Sequence, residues 1–102
     1  MRKVGRKEDF PEGKATPVEV DGFPIVICHV EGGKFYAVED RCSHDDEELG
    51  GGELEGCDII CPRHGARFDV RDGTVTAPPA IYPIDTYEVK VRHGEVFVAL
   101  DE

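Results

Sequence analysis

The sequence predicts an all-β fold, an antiparallel sandwich or small barrel, on three observations. Short apolar and β-branched runs recur between turn signals, and 12 Gly and 7 Pro punctuate a chain of only 102 residues. No window of comparable length repeats its apolar residues at helical spacing.

Taken in order, the runs are 17–20, 24–30 and 34–38, separated by Asp21-Gly22 and by Glu31-Gly32-Gly33, which read as hairpin turns. Further on come 58–61, 66–70, a turn at Arg71-Asp72-Gly73, 74–76, 84–92, a turn at His93-Gly94, and 95–100. Within 87–92, Tyr-Glu-Val-Lys-Val-Arg alternates apolar with charged residues, so one face meets a core and the other meets water. The least regular stretch is 39–57, which contains Gly50-Gly51-Gly52. A loop that long inside a compact domain is usually functional.

With 39% hydrophobic residues the chain can bury one core, so residues 1–102 read as a single domain. No run of about 20 apolar residues is present, and the basic start runs into Glu8-Asp9 instead of an apolar segment. The expectation is a soluble, cytoplasmic, monomeric protein. Its net charge of −10 argues against a phosphate-neutralising nucleic-acid binder and against docking on an anionic membrane. A basic protein surface suits it better. Residues 39–58 hold nine acids and one base, Arg41, and so carry eight of the ten net charges. A solvated loop would explain such a run, but Cys42 and His44 sit inside it.

The chemistry concentrates in two motifs, Cys42-Ser43-His44 and Cys61-Pro62-Arg63-His64, with sixteen residues between His44 and Cys61. Each offers a thiolate and an imidazole, and two of each complete a first shell for zinc or for iron with sulfide. An ordinary zinc finger pairs Cys with Cys and His with His, whereas here each half is mixed. A binuclear cluster gives the mixture a reason, because each loop can then send ligands to both metals. A structural zinc module stays open as the lesser reading.

These residues resemble the Rieske [2Fe-2S] proteins, whose motif is C-x-H followed some sixteen residues later by C-x-x-H. Gly65 completes the second-loop string, Phe68 and Gly73 follow at the family's spacing, and Pro78-Pro79 resembles its proline loop. The resemblance implies a Rieske-like β fold with a cluster-binding subdomain formed by two loops within about 40–80. It also implies one [2Fe-2S] cluster, with Cys42 and Cys61 on one iron and His44 and His64 on the other.

Within that resemblance, absences define a subclass. Glu47 and Arg63 stand where respiratory members carry a disulfide. Ala66 and Phe68 stand where those members carry a Ser and a Tyr that hydrogen-bond to sulfur. Losing such donors lowers the reduction potential, and Asp45, Asp46, Glu47 and Glu48 push the same way. The pattern is similar to the low-potential ferredoxin components of bacterial aromatic-ring-hydroxylating dioxygenase systems. It implies a one-electron carrier between a flavin-dependent ferredoxin reductase and a terminal Rieske oxygenase. A Rieske subunit of another redox enzyme, such as nitrite reductase, or a redox sensor is the alternative.

The chain offers no paired carboxylates, nucleophile with base or phosphate-binding loop, so catalysis by this chain alone is not expected. Cys28 shares a strand face with Val26 and Val30 and reads as a core thiol. Cys57 reads as a spare thiol near the cluster loops, and His29 and His93 read as structural or solvated.

Overall fold

The computed structural model describes residues 1–43 and 48–100. Ten strands follow one another: β1 Arg2–Arg6, β2 Ala15–Val20, β3 Phe23–Val30, β4 Lys34–Glu39, β5 Glu53–Glu55, β6 Asp58–Ile60, β7 Arg67–Asp69, β8 Val75–Ala77, β9 Thr86–Arg92 and β10 Glu95–Ala99. A single 3-10 turn, Lys7–Asp9, interrupts them. Six strands form one antiparallel sheet in the order β1-β10-β9-β4-β3-β2, and its edge strands β1 and β2 touch, so it curls into a nearly closed barrel. The other four form a small meander, β5-β6-β7-β8, inserted between β4 and β9.

Two hairpin turns use the chemistry their sequences announced. Asp21-Gly22 links the pair Val20↔Phe23, and His93-Gly94 links Arg92↔Glu95. All four turn residues have positive φ, from 51° to 85°. That is the geometry whose twist matches the flanking strands, and it is why Gly holds the second place in each turn.

Strand β3 explains why 24–30 reads as a continuous apolar run instead of an alternation. Ile25 and Ile27 point into the barrel, among Phe10, Val20, Ala37, Val96 and Val98. Val26, Cys28 and Val30 point the other way, into a second core shared with the meander. A strand buried on both faces has no polar side to show. The meander contributes the cross-strand row Leu54, Ile59, Phe68 and Val75, each paired with the next, to that second core.

The structure departs from the sequence expectation at three places. Residues 2–6 form an edge strand held by backbone pairing to β10, although only Val4 packs inward. Residues 53–55 form β5 inside the stretch expected to be loop, because ladder hydrogen bonds to β6 and the single inward residue Leu54 suffice. Third, 84–92 begins as a strand only at Thr86. Among the described residues no helix is long and apolar enough to cross a membrane.

Candidate metal centre

The first loop leaves β4 of the six-stranded sheet at Glu39 and enters β5 of the meander at Glu53. Asp40 is its gatepost: one carboxylate oxygen, Oδ1, accepts hydrogen bonds from the backbone N–H groups of Leu49 and Gly50, each at 2.7 Å. Asp40 itself is 8% exposed, and its own N–H donates to the Pro24 carbonyl. Leu49 is fully buried, so the far end of the loop is pinned by one polar and one apolar contact. Gly52 then presses against β6 beside Ile60 so closely that a Cβ would overlap the Ile60 carbonyl oxygen.

The second loop is a six-residue turn from Cys61 to Ala66. The Cys61 N–H donates to the Ala66 carbonyl at 2.7 Å, and the Gly65 N–H donates to the Cys61 carbonyl at 3.1 Å. Gly65 supplies the positive φ of 77° that closes the turn. The consequence is a sharp sorting of side chains. Cys61 and Ala66 are buried, while Pro62, Arg63, His64 and Gly65 face water.

A third loop, 78–85, braces the other two. Its Pro78–Pro79 bond is cis, and Ala80 enters the same core as both cysteines. Ser43 Oγ donates to the Tyr82 carbonyl, tying this loop to the first. At its base the Glu39 N–H donates to the Asp85 carbonyl, and the Asp85 N–H donates back to Glu39 Oε1. Its crest exposes Ile81 and Tyr82, which are 79% and 69% accessible.

The structure therefore brings Cys42 and Cys61 into one core, with exposures of 0% and 1%, among Leu49, Ala66, Phe68 and Ala80. His64 stands at the surface above Cys61. His44, with Asp45, Asp46 and Glu47, lies outside the described residues. Among the described residues no three His, Cys, Asp or Glu side chains gather round one point as a metal site. No cysteine is in a disulfide. Two sequestered thiols and an exposed imidazole, delivered by separate loops, are a donor set that fits a soft metal or a cluster with sulfide.

The acidic stretch around this site is less free than its sequence suggests. Glu39 pairs with Arg41, Asp40 serves the loop, and Arg67 bridges Glu55 and Asp58. Glu48 and Glu53 remain exposed.

Comparison with known proteins shows the family in which these loops occur. Residues 1–88 match the Rieske [2Fe-2S] domain. The chain belongs to that family. It is 39% identical over 95 residues to the 3-phenylpropionate/cinnamic acid dioxygenase ferredoxin subunit of Escherichia coli (strain K12), covering 92% of this chain and 88% of that protein. It superposes on the ferredoxin of carbazole 1,9a-dioxygenase from Nocardioides aromaticivorans IC177 with a TM-score of 0.91 and 34% identity, over 97% of this chain and 96% of that one. A chain in the complex of reduced oxygenase and oxidized ferredoxin of carbazole 1,9a-dioxygenase gives 0.88 and 38%, over 95% and 99%. Curated relatives of this Rieske protein are thus named as ferredoxin subunits of dioxygenase systems, and the domain's iron–sulfur character comes with the family.

The remaining candidates sort cleanly. Cys28 is a fully buried core thiol, and burial pushes its pKa up to about 12. His29 bonds through Nδ1 to the Phe10 carbonyl at 2.7 Å and stacks on Phe35, so its role is structural. A carbonyl only accepts, so Nδ1 must carry the proton in that bond. Cys57 is a free thiol in the β5–β6 turn, at the opposite end of the short strand β6 from Cys61 and packed against the core that holds both motif cysteines, with its carbonyl accepting from Val70 N–H. Asp40 and Gly52 were missed as functional positions. The acid count hid the first, and the glycine cluster hinted at the second without saying which member meets a backbone.

Proposed function

We propose that this Rieske chain is a one-electron carrier whose [2Fe-2S] cluster is held by Cys42 and His44 from the first loop and by Cys61 and His64 from the second. The observation that carries this reading is the sorting in the second loop, where the thiol is sealed in the core and the imidazole is displayed to solvent three residues later. When bound, the cluster supplies reversible storage of one electron. The protein's residues do the rest. Cys42 and Cys61 anchor it in a dry, apolar core that includes Leu49, Phe68 and Ala80. A dry core limits access of water and oxidants to the sulfur atoms. His44 and His64 would supply imidazole nitrogens to iron, and His64 would do so from the solvent-exposed face that a partner can reach.

The acceptor that fits is a terminal Rieske oxygenase, because ferredoxin and oxygenase stand together in the carbazole dioxygenase complex; the donor proposed, on the family resemblance alone, is a flavin-dependent ferredoxin reductase. Cytoplasmic residence follows from such partners. Purified protein should be brown, with iron and acid-labile sulfide in equal amounts, and His64→Ala should abolish the normal visible spectrum. Zinc without iron in a colourless protein would defeat the assignment, as would an unchanged spectrum in His64→Ala.

A further inference from the structure

Asp40 stands out from the acids around it. It is the sole polar or charged residue counted as buried among the described residues, and one oxygen of its carboxylate takes both N–H donors that return the loop to the sheet. The ring so closed runs from Asp40 to Leu49 and contains Cys42 and His44. The oxygen not used in these bonds faces Gly50, where an added Cβ would lie 3.2 Å from it and still nearer to Pro17. Small residues are therefore packed around a fixed carboxylate.

We propose that Asp40 is a positioning residue with two separable effects: its oxygen clasps the first cluster loop shut, and its fixed negative charge holds the cluster's reduction potential down. This rests on the cluster assignment above. The first effect needs only an acceptor, since two N–H groups at 2.7 Å are satisfied by any oxygen held there. The second needs charge. A buried carboxylate two residues from Cys42 acts through a medium of lower effective dielectric than water, and so opposes an added electron more than a solvated acid does.

Asparagine separates the two, since it keeps the acceptor and removes the charge. The experiment measures, in the holoprotein, the rate of visible bleaching in excess chelator and the midpoint potential for wild type, Asp40→Asn, Asp40→Ala and Glu53→Gln. The last removes an exposed acid near the second loop. Asp40→Ala should lose the cluster roughly tenfold faster, as expected when a charge-assisted clasp is lost. Asp40→Asn should hold the cluster nearly as long as wild type but titrate at a higher potential, with Glu53→Gln moving it less. Bleaching of Asp40→Asn as fast as Asp40→Ala, or retention by Asp40→Ala equal to wild type, overturns the clasp. A midpoint in Asp40→Asn equal to wild type, or matched by Glu53→Gln, overturns the charge effect. Should Asp40→Ala fail to fold, Asp40→Asn still tests the charge effect, and Asp40→Ser, too short to hold an oxygen at that place, stands in for Asp40→Ala in testing the clasp. Wild-type protein without iron and sulfide would instead defeat the cluster reading itself, an outcome distinct from these.

Discussion

Gly52 and the Ile60 carbonyl are in contact across the gap between the first cluster loop and β6, with no room for a side chain between them. The contact sets the height of the loop over the strand that leads into Cys61. Gly52→Ala must push loop and strand apart, at a cost of about 1–3 kcal/mol by analogy with overpacked cores. For a domain of this size that lowers the thermal midpoint by roughly 4–8 °C for each kcal/mol. Thermal unfolding followed by circular dichroism checks it. Gly51→Ala serves as comparison, because nothing lies near its missing Cβ although its φ of 90° adds its own strain. A Gly52→Ala midpoint equal to wild type would show that loop and strand yield freely.

How much of this was legible beforehand depends on which force shaped each part. The hairpins at Asp21-Gly22 and His93-Gly94 were readable because turn geometry demands particular residues. Cys42, Cys61 and His64 stood out by residue type and spacing, and the structure puts both thiols in one core and His64 at the surface. Strands β1 and β5 were not readable, since they are held by backbone pairing to β10 and β6 and carry almost no apolar signal. Asp40 was hidden for a different reason. Its value comes from where Leu49 and Gly50 return, a tertiary fact that no count of acids contains.

The two cysteines outside the motifs should differ sharply in reactivity. The Cys28 thiol is fully buried and burial pushes its pKa up to about 12, so at neutral pH the reactive thiolate is scarce. Cys57 is half-buried at a turn. Iodoacetamide applied to the native holoprotein should therefore modify Cys57 and leave Cys28 untouched until denaturant is added. Peptide mass mapping over time reads the order, and equal native rates would contradict the burial of Cys28.

Ala66 and Phe68, neither of which carries a hydroxyl, set an expected potential. Ala66 and Phe68 are both fully buried in the cysteine core and offer no O–H to sulfur. The midpoint should lie near the lower end of the roughly −150 to +300 mV range of Rieske centres. Ala66→Ser and Phe68→Tyr should each raise it, since a hydrogen bond to sulfur favours the more negative, reduced state. Spectroelectrochemical titration decides. A wild-type value above about +100 mV would sink the argument.

Partner docking should be steered by the acids of the first loop, but by fewer of them than the sequence count implies. Arg67 offsets Glu55 and Asp58, and Glu39 lies against Arg41, so these three carboxylates and two cations leave one net negative charge at a distance. What remains besides is Glu48 and Glu53, both exposed, with Asp45, Asp46 and Glu47 beside Glu48 in sequence. Neutralising Asp46, Glu47 and Glu48 together should slow reduction by a cognate reductase at low salt and flatten its salt dependence, leaving iron content unchanged. Glu55→Gln should do little, because it removes a charge that is already partnered. The Debye length falls from ~10 Å at 0.1 M salt to ~3 Å at 1 M, so a steering effect must fade over that range and must appear in the association rate. The competing account gives docking to the apolar crest of the third loop, Ile81 and Tyr82, which salt does not screen. Stopped-flow reduction from low to high ionic strength separates them. If rates prove independent of salt in both wild type and triple variant, and Ile81→Ser with Tyr82→Ser slows transfer instead, the crest and not the acids guides the encounter.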